Sequence, residues 1–226
     1  LPTEAAQFLH RLVRRLLHIL TVPTYLGTLY EIDMRLRPSG NAGTMVSSLE
    51  AFVEYQNSQA WVWEQQALVR ARVVVGDPAL AARFGAAREE LLCQPRDVES
   101  LKREVMKMRE RMAEHHGESD DLKRGSGGIV DIEFVVQYLV LAWAHEYPAM
   151  AEYTDNIRIL ETAERLRLLP GQMAQNLREA YLGLRSEWHR TVLDLPDSER
   201  AGQVLTQHRA EVRAAWQYVF GVDEQV

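Results

Sequence analysis

A single cysteine, Cys93, stands among 226 residues. One thiol excludes an internal disulfide and a cysteine-built zinc centre, and it fits a reducing cytoplasm. Positive charge is not in excess: 26 Lys and Arg stand against 32 Asp and Glu, a net of −6. That balance argues against nucleic acid as a partner and leaves only local basic patches. No apolar run approaches the ~20 residues that cross a bilayer, so no membrane partner is expected. Neither a Ser-His-Asp nor a Cys-His arrangement emerges, and no signal peptide is visible. Adjacent His115 and His116 sit where a helix end is expected, not at a chelating spacing. What remains is an ordinary globular balance, 46% apolar and 26% charged, long enough for one large domain or two small ones.

The most informative stretch runs from Tyr30 to Gly40. Tyr30, Ile32, Met34 and Leu36 alternate with Glu31, Asp33, Arg35 and Arg37, the period of an extended strand over 27–37. One face then carries two carboxylates followed by two guanidiniums. Two readings are open: a half-buried strand with a self-paired polar face, or a site where Asp33 holds a metal and the arginine forks hold a polyphosphate. One strand is not a sheet, so this edge needs partners. Pro38-Ser39-Gly40-Asn41-Ala42-Gly43 follows as a glycine-containing loop.

Elsewhere the periodicity is helical. A helix over 3–20 carries the stripe Phe8, Leu12, Leu16 and Ile19, with Thr3 as cap and Arg11, Arg14 and Arg15 off the stripe. Ser47 or Ser48 caps a helix to about Asn57, with Glu50 as a box partner for Ser47. A helix over 59–75 is apolar nearly all round yet carries Glu64, Arg70 and Arg72. Glu64 and Arg72 lie about 80° apart around its axis, within reach of one cleft or of separate ion-pair partners. Asp77-Pro78 starts the next helix, and Val98, Leu101, Val105, Met108 and Met112 stripe a long one over 97–115. Residues 117–128 read as a linker or, through the basic glycine-rich run Lys123-Arg124-Gly125-Ser126-Gly127-Gly128, as an anion-binding loop at a helix N-terminus. The helix over 129–146 is apolar apart from Asp131, Glu133 and Gln137; a carboxylate there needs a partner, which Lys123, Arg124 or an arginine of the 60–72 helix provides, or it faces a site. Three more helices follow, over 156–168 with Asp155 as cap, over 171–193 with the stripe Met173, Leu177, Ala180, Leu184, Trp188 and Thr191, and over 198–219. The chain thus divides at 116/117.

Three long words, YEIDMRLRPSGNAGTMVSSLEAFVEYQ from Tyr30, AWVWEQQALVRARVVVGD from Ala60 and LKRGSGGIVDIEFVVQYLVL from Leu122, carry a resemblance. They resemble the bifunctional glutamine synthetase adenylyltransferase/adenylyl-removing enzymes of bacteria, over about Phe8 to Phe220. The run Trp63-Glu-x-Gln-Ala-Leu-Val-Arg-Ala-Arg72 resembles the adenylylating half, not the adenylyl-removing one. Against this, the Gly-Ser-Asp-x-Asp motif that supplies two metal-binding aspartates in such nucleotidyltransferases is missing. Gly117-Glu118-Ser119-Asp120-Asp121 is only a distant look-alike. Asp33 matches the third carboxylate. The chain therefore reads as a fragment that begins after the first metal-binding turn and is expected to have lost most or all transferase activity.

The resemblance implies a mainly α chain: a remnant of a nucleotidyltransferase α+β core with one or few strands in 1–116, then a C-terminal helical bundle in 117–226. It implies transfer of AMP from ATP to a tyrosine of glutamine synthetase, with Mg2+ neutralising phosphate charge. Asp33 would be the catalytic and metal-binding residue. Arg35, Arg37, Ser39, Gly40, Arg70, Arg72, Lys123, Gly127 and Gly128 would contact nucleotide, with Glu64, Asp131 and Glu133 walling the cleft. Glutamine synthetase and a PII-type regulatory protein are the implied partners, in the cytoplasm. The alternative is a helical docking module for either protein.

Overall fold

Helix dominates the computed structural model, which describes residues 3–28, 32–34, 36–116, 121–193 and 201–221. Among the described residues there are nine α-helices and no strand. None of these helices is long and apolar enough to cross a membrane. The chain separates into two units, Leu1–Glu64 and Gln65–Val226.

The first unit opens with α1 (Thr3–Thr21). Its stripe forms as expected but stays largely uncovered, with Phe8 59% and Ile19 62% exposed. The expected strand does not form in the described part of 27–37. Thr24 and Gly27 exchange backbone hydrogen bonds in a tight turn. Residues 32–34 are irregular and Leu36–Ser39 turn, while Tyr30, Glu31 and Arg35 lie outside the described residues. The physical reason is that a strand is defined by its neighbour. Period-two alternation creates the two faces, but only a second strand takes up the N–H and C=O groups. Here Arg37 turns back locally, its Nη1 donating to the Met34 carbonyl at 2.8 Å.

The loop after it is tight. Ser39 is left-handed (φ 60°), and a Cβ on Gly43 would stand 1.9 Å from the Pro38 carbonyl oxygen. Helix α2 (Leu49–Ser58) is capped by Ser48, whose Oγ accepts from the Ala51 N–H. With Ser48 as the cap, Glu50 stands one position too early to close the box expected with Ser47.

Helix α3 (Val62–Arg70) is much shorter than the expected 59–75. The β-branched run Val73-Val74-Val75, with Gly76-Asp77-Pro78 behind it, leaves the helix instead of extending it. The second unit continues with α4 (Pro78–Leu92), capped by Asp77, α5 (Val98–His116), and α6 (Ile129–Trp143). A 3-10 turn at Pro148–Ala151 leads into α7 (Asn156–Arg165), capped by Asp155. Then come α8 (Gly171–Val192) and α9 (Ala201–Phe220).

Helix α6 is the hub: it packs on α5, α7, α8 and α9. Ile132, Val135, Val136, Val140 and Leu141 on it are fully buried. Each such side chain contributes about 1.5–3 kcal/mol of burial. Gly183 allows α8 and α9 to close up, since a Cβ there would lie 2.8 Å from the His208 ring. Two arginines are consumed inside. Arg88 donates to the carbonyls of Leu68, Val69, Ala151 and Tyr153. Arg96 donates to those of Leu91, Leu92 and Gln94. Arg88 ties the end of α3 to the segment after α6, and Arg96, which also donates to the Leu141 carbonyl on α6 at 3.4 Å, ties the α4–α5 junction to the hub, without a carboxylate among these partners.

Candidate functional site

The loop Asp121–Gly128 is built by hydrogen bonds to its own backbone and by two glycines that nothing else can replace. Gly125 N–H donates to the Asp121 carbonyl, and Gly128 N–H to that of Gly125. The Ile129 and Val130 N–H groups donate back to the carbonyls of Leu122 and Lys123. The N–H groups expected to await an anion at the start of α6 are thus occupied by the loop itself. Gly127 has φ +74°, and a Cβ on it would lie 2.4 Å from the Arg209 carbonyl oxygen. A Cβ on Gly128 would lie 2.7 Å from the Leu122 carbonyl oxygen.

Asp131 locks this loop. Its Oδ2 accepts from the Gly127 N–H at 2.7 Å and its Oδ1 from the Nε of Arg109 on α5. Arg109 also donates to the Arg124 carbonyl at 2.8 Å. Lys123, Arg124 or an arginine of the 60–72 helix was the expected partner for a carboxylate of α6; Glu133 meets such an arginine, Arg70, whereas α5 supplies the partner of Asp131.

What the loop presents outward is the side chain of Lys123. Its Nζ sits 4.8 Å from the ring centre of Trp188 on α8. Beside it, α3 and α6 meet through matched pairs four residues apart, which share a helix face. Gln66 donates to Gln137 at 3.0 Å, and Arg70 to Glu133 at 2.5 Å. Arg185, also on α8, donates to the Tyr181 hydroxyl at 3.2 Å. Arg70, Lys123, Ile129, Glu133, Tyr181, Arg185 and Trp188 together line a cleft of about 160 Å³.

Three of the sequence-derived residues, Arg70, Lys123 and Glu133, therefore meet at one place. Tyr181, Arg185 and Trp188 were missed there. Their spacing, four and seven residues on α8, was the available signal, but Trp188 read as part of a core stripe. Asp131 lines a different cavity of about 410 Å³, with Arg109, Arg213 and Trp216. Arg72 is exposed just past the end of α3.

The remaining sequence-derived residues lie in the first unit. Asp33 is exposed, Ser39 and Gly40 form the tight turn described above, and Arg35 lies outside the described residues. Glu64 is 4% exposed and already engaged. Its carboxylate accepts from the Tyr55 hydroxyl at 2.9 and 3.1 Å and from the Trp61 N–H at 3.0 Å. Burial pushes the Tyr55 phenol above its ordinary range; a Ser39 backbone hydrogen bond opposes this and the Glu64 carboxylate adds to it. Asp33 offers the hard oxygen that suits magnesium. Among the described residues no group of three or more His, Cys, Asp or Glu side chains comes together to hold a metal. Asp33 by itself supplies only one of the several oxygen ligands that such an ion takes.

Residues 2–87 match the family model described as glutamate-ammonia ligase adenylyltransferase. Residues 99–224 match the one described as GlnD PII-uridylyltransferase. A curated relative from Pseudomonas aeruginosa, a bifunctional glutamine synthetase adenylyltransferase/adenylyl-removing enzyme, is 47% identical over 94% of this chain and 23% of its own length. A relative of the same name from Pseudomonas putida is 46% identical over 95% of this chain and 24% of its own length. The chain thus spans about a quarter of the length of these relatives.

Proposed function

The chain belongs to the family of bifunctional glutamine synthetase adenylyltransferase/adenylyl-removing enzymes, and we propose that it serves adenylyl transfer from ATP to a tyrosine hydroxyl of glutamine synthetase. In that reaction the tyrosine oxygen bonds to the α-phosphorus, the bond to the β-phosphate bridge breaks, and pyrophosphate leaves. The observation that carries the reading is the convergence of Arg70, Glu133 and Lys123, drawn from two of the family words, on one cleft with excess positive charge. Phosphoryl and nucleotidyl transfer need little more from a protein than placement and charge neutralisation. Arg70, Arg72 and Lys123 supply that charge. Gly127 and Gly128 set the loop that carries Lys123. In the other unit Asp33 is one metal ligand or the base that takes the tyrosine proton. Arg35, Arg37, Ser39 and Gly40 are assigned to nucleotide contact, and Glu64 holds Tyr55 and the start of α3. Magnesium, when bound, supplies charge neutralisation on the phosphates.

The test is calorimetric binding of ATP with magnesium to this chain and to a longer one carrying a Gly-Ser-Asp-x-Asp motif ahead of it. We expect the longer chain to bind and to transfer AMP, this chain alone to transfer little, and Arg70→Ala with Lys123→Ala to weaken binding roughly tenfold or more. Unchanged ATP binding and AMP transfer in the doubly substituted longer chain would sink the assignment.

A second reading rests on a separate observation. The exposed stripe of α1, flanked by Arg11 and Arg14, has the build of a docking surface for glutamine synthetase or a PII-type protein. Loss of co-sedimentation with either protein in a Leu12→Ser, Leu16→Ser variant would favour it. Undiminished AMP transfer with unchanged co-sedimentation would remove it.

A further inference from the structure

The cleft between α3, the Asp121–Gly128 loop, α6 and α8 is small and electrically unbalanced. Its volume of about 160 Å³ equals roughly five waters at their liquid share, well below the ~300 Å³ at which sites for whole cofactors begin. A nucleoside does not fit; a compact anion does. Arg70, Lys123 and Arg185 give three positive charges on the lining and Glu133 gives one negative, so 3 − 1 leaves two positive charges uncompensated. The cations come from three separate elements. Glu133 offsets the charge of Arg70, whereas the other two cations are held by contacts that leave their charge in place: the Trp188 face supports Lys123, and the Tyr181 hydroxyl accepts from Arg185. Aromatic faces position a cation without neutralising it. A single acidic side chain would leave one of the two charges unmatched, whereas a phosphate anion with two or more charges satisfies both and matches arginine's fork.

We propose that this cleft is a diphosphate pocket. It takes the β,γ-phosphates of the nucleotide and then the pyrophosphate that leaves, with Arg185 and Trp188 as binding residues beside Lys123. The pocket deepens the transfer reading above and rests on it for the identity of the diphosphate. Its chemistry demands only a compact polyanion. It does not hold the adenine or the ribose, so AMP is not among its ligands.

The experiment titrates this 226-residue chain with pyrophosphate, orthophosphate, AMP and polyglutamate in turn, by calorimetry and tryptophan emission. The parent chain is compared with Lys123→Ala, Arg185→Ala and Trp188→Phe, and circular dichroism confirms that each variant is folded. Pyrophosphate is expected to bind, AMP not to compete with it, and both cation variants to weaken it by roughly tenfold, the value of one charge-assisted contact. The emission change is expected to vanish in Trp188→Phe while binding persists. Equal pyrophosphate affinity in the parent and both cation variants overturns the pocket, as does binding of polyglutamate but not pyrophosphate. ATP and magnesium are then titrated into the longer chain. Unaltered ATP affinity there in the Lys123→Ala, Arg185→Ala double variant overturns the pocket and leaves the transfer reading standing. Pyrophosphate binding here without any ATP binding in the longer chain does the reverse.

Discussion

Removing the Asp131 carboxylate should cost the second unit about 3 kcal/mol, and the sum can be worked from the contacts. Asp131 and Arg109 have side chains only 8% and 11% exposed. Deleting one member of such a pair strands the other charge, at about 3–5 kcal/mol. Asp131→Ala also leaves the Gly127 N–H without its acceptor, at about 1–3 kcal/mol. Against this, the neighbouring cavity of about 410 Å³ lies beside both residues and admits water to the abandoned guanidinium. The lower end is therefore expected. With a urea slope of about 2 kcal/mol per molar, the midpoint falls by about 1.5 M. The assay is urea unfolding followed by far-ultraviolet circular dichroism and by tryptophan emission, since Trp216 lines the same cavity. Arg109→Met should cost somewhat less, because Asp131 keeps the Gly127 hydrogen bond. The double variant should fall short of additivity by about 2 kcal/mol, because neither charge is left stranded. A midpoint shift under about 0.3 M for Asp131→Ala, or strict additivity in the cycle, would refute the claim that this pair locks the loop.

Gly127→Ala combines a left-handed backbone with a Cβ 2.4 Å from the Arg209 carbonyl oxygen, so a loss of about 3 kcal/mol is expected in the same unfolding assay. Arg88→Met leaves four carbonyls without their donor and should cost about 3–5 kcal/mol; a loss under about 1 kcal/mol would mean that those carbonyls find water. Tyr55 carries a pH signature in the first unit. Its phenol is raised above the ordinary value, first by burial, so the fold favours the protonated form. That stabilisation is complete below the ordinary tyrosine pKa near 10 and is lost as pH rises through the raised one. Thermal melts between pH 9 and 11 should show a steeper fall for the parent than for Tyr55→Phe; parallel curves would contradict it.

Local signals were legible and relational ones were not. Asp77, Asp155 and Ser48 announced helix starts because a cap needs only its own next three residues. The pairing of Glu133 with an arginine of the 60–72 helix was readable because a carboxylate in an apolar helix demands a cation. The strand at 27–37 was an inference from alternation, yet a ladder requires a second strand, and alternation cannot supply one. Arg88 and Arg96 escaped notice for a similar reason. In sequence Arg88 looks like a solvated charge on a helix and Arg96 like one in a connection. Their acceptors are backbone carbonyls up to 65 residues away, which have no side-chain signature. The triple-valine stretch is apolar enough to pass for helix, but its β-branching favours extended backbone.

Asp131 and Glu133 show where one grouping made from sequence comes apart. Both were placed in the wall of a single cleft. Residues two apart on a helix are about 200° apart around its axis, so they cannot share a face. In the structure Asp131 turns to Arg109 and the 410 Å³ cavity, while Glu133 turns to Arg70 and the 160 Å³ cleft. Their neutral variants should therefore move different observables. Glu133→Gln retains an oxygen acceptor for Arg70 but raises the excess charge of the cleft from two to three. Pyrophosphate affinity should rise several-fold and depend more steeply on salt, with the unfolding midpoint nearly unchanged, because the Arg70–Glu133 pair is 39% and 25% exposed. Asp131→Asn should lower the midpoint and leave pyrophosphate affinity in the folded chain within about twofold. If Glu133→Gln weakened pyrophosphate binding, the carboxylate would be organising the site instead of opposing the anion, and the charge argument for the cleft would fail with it.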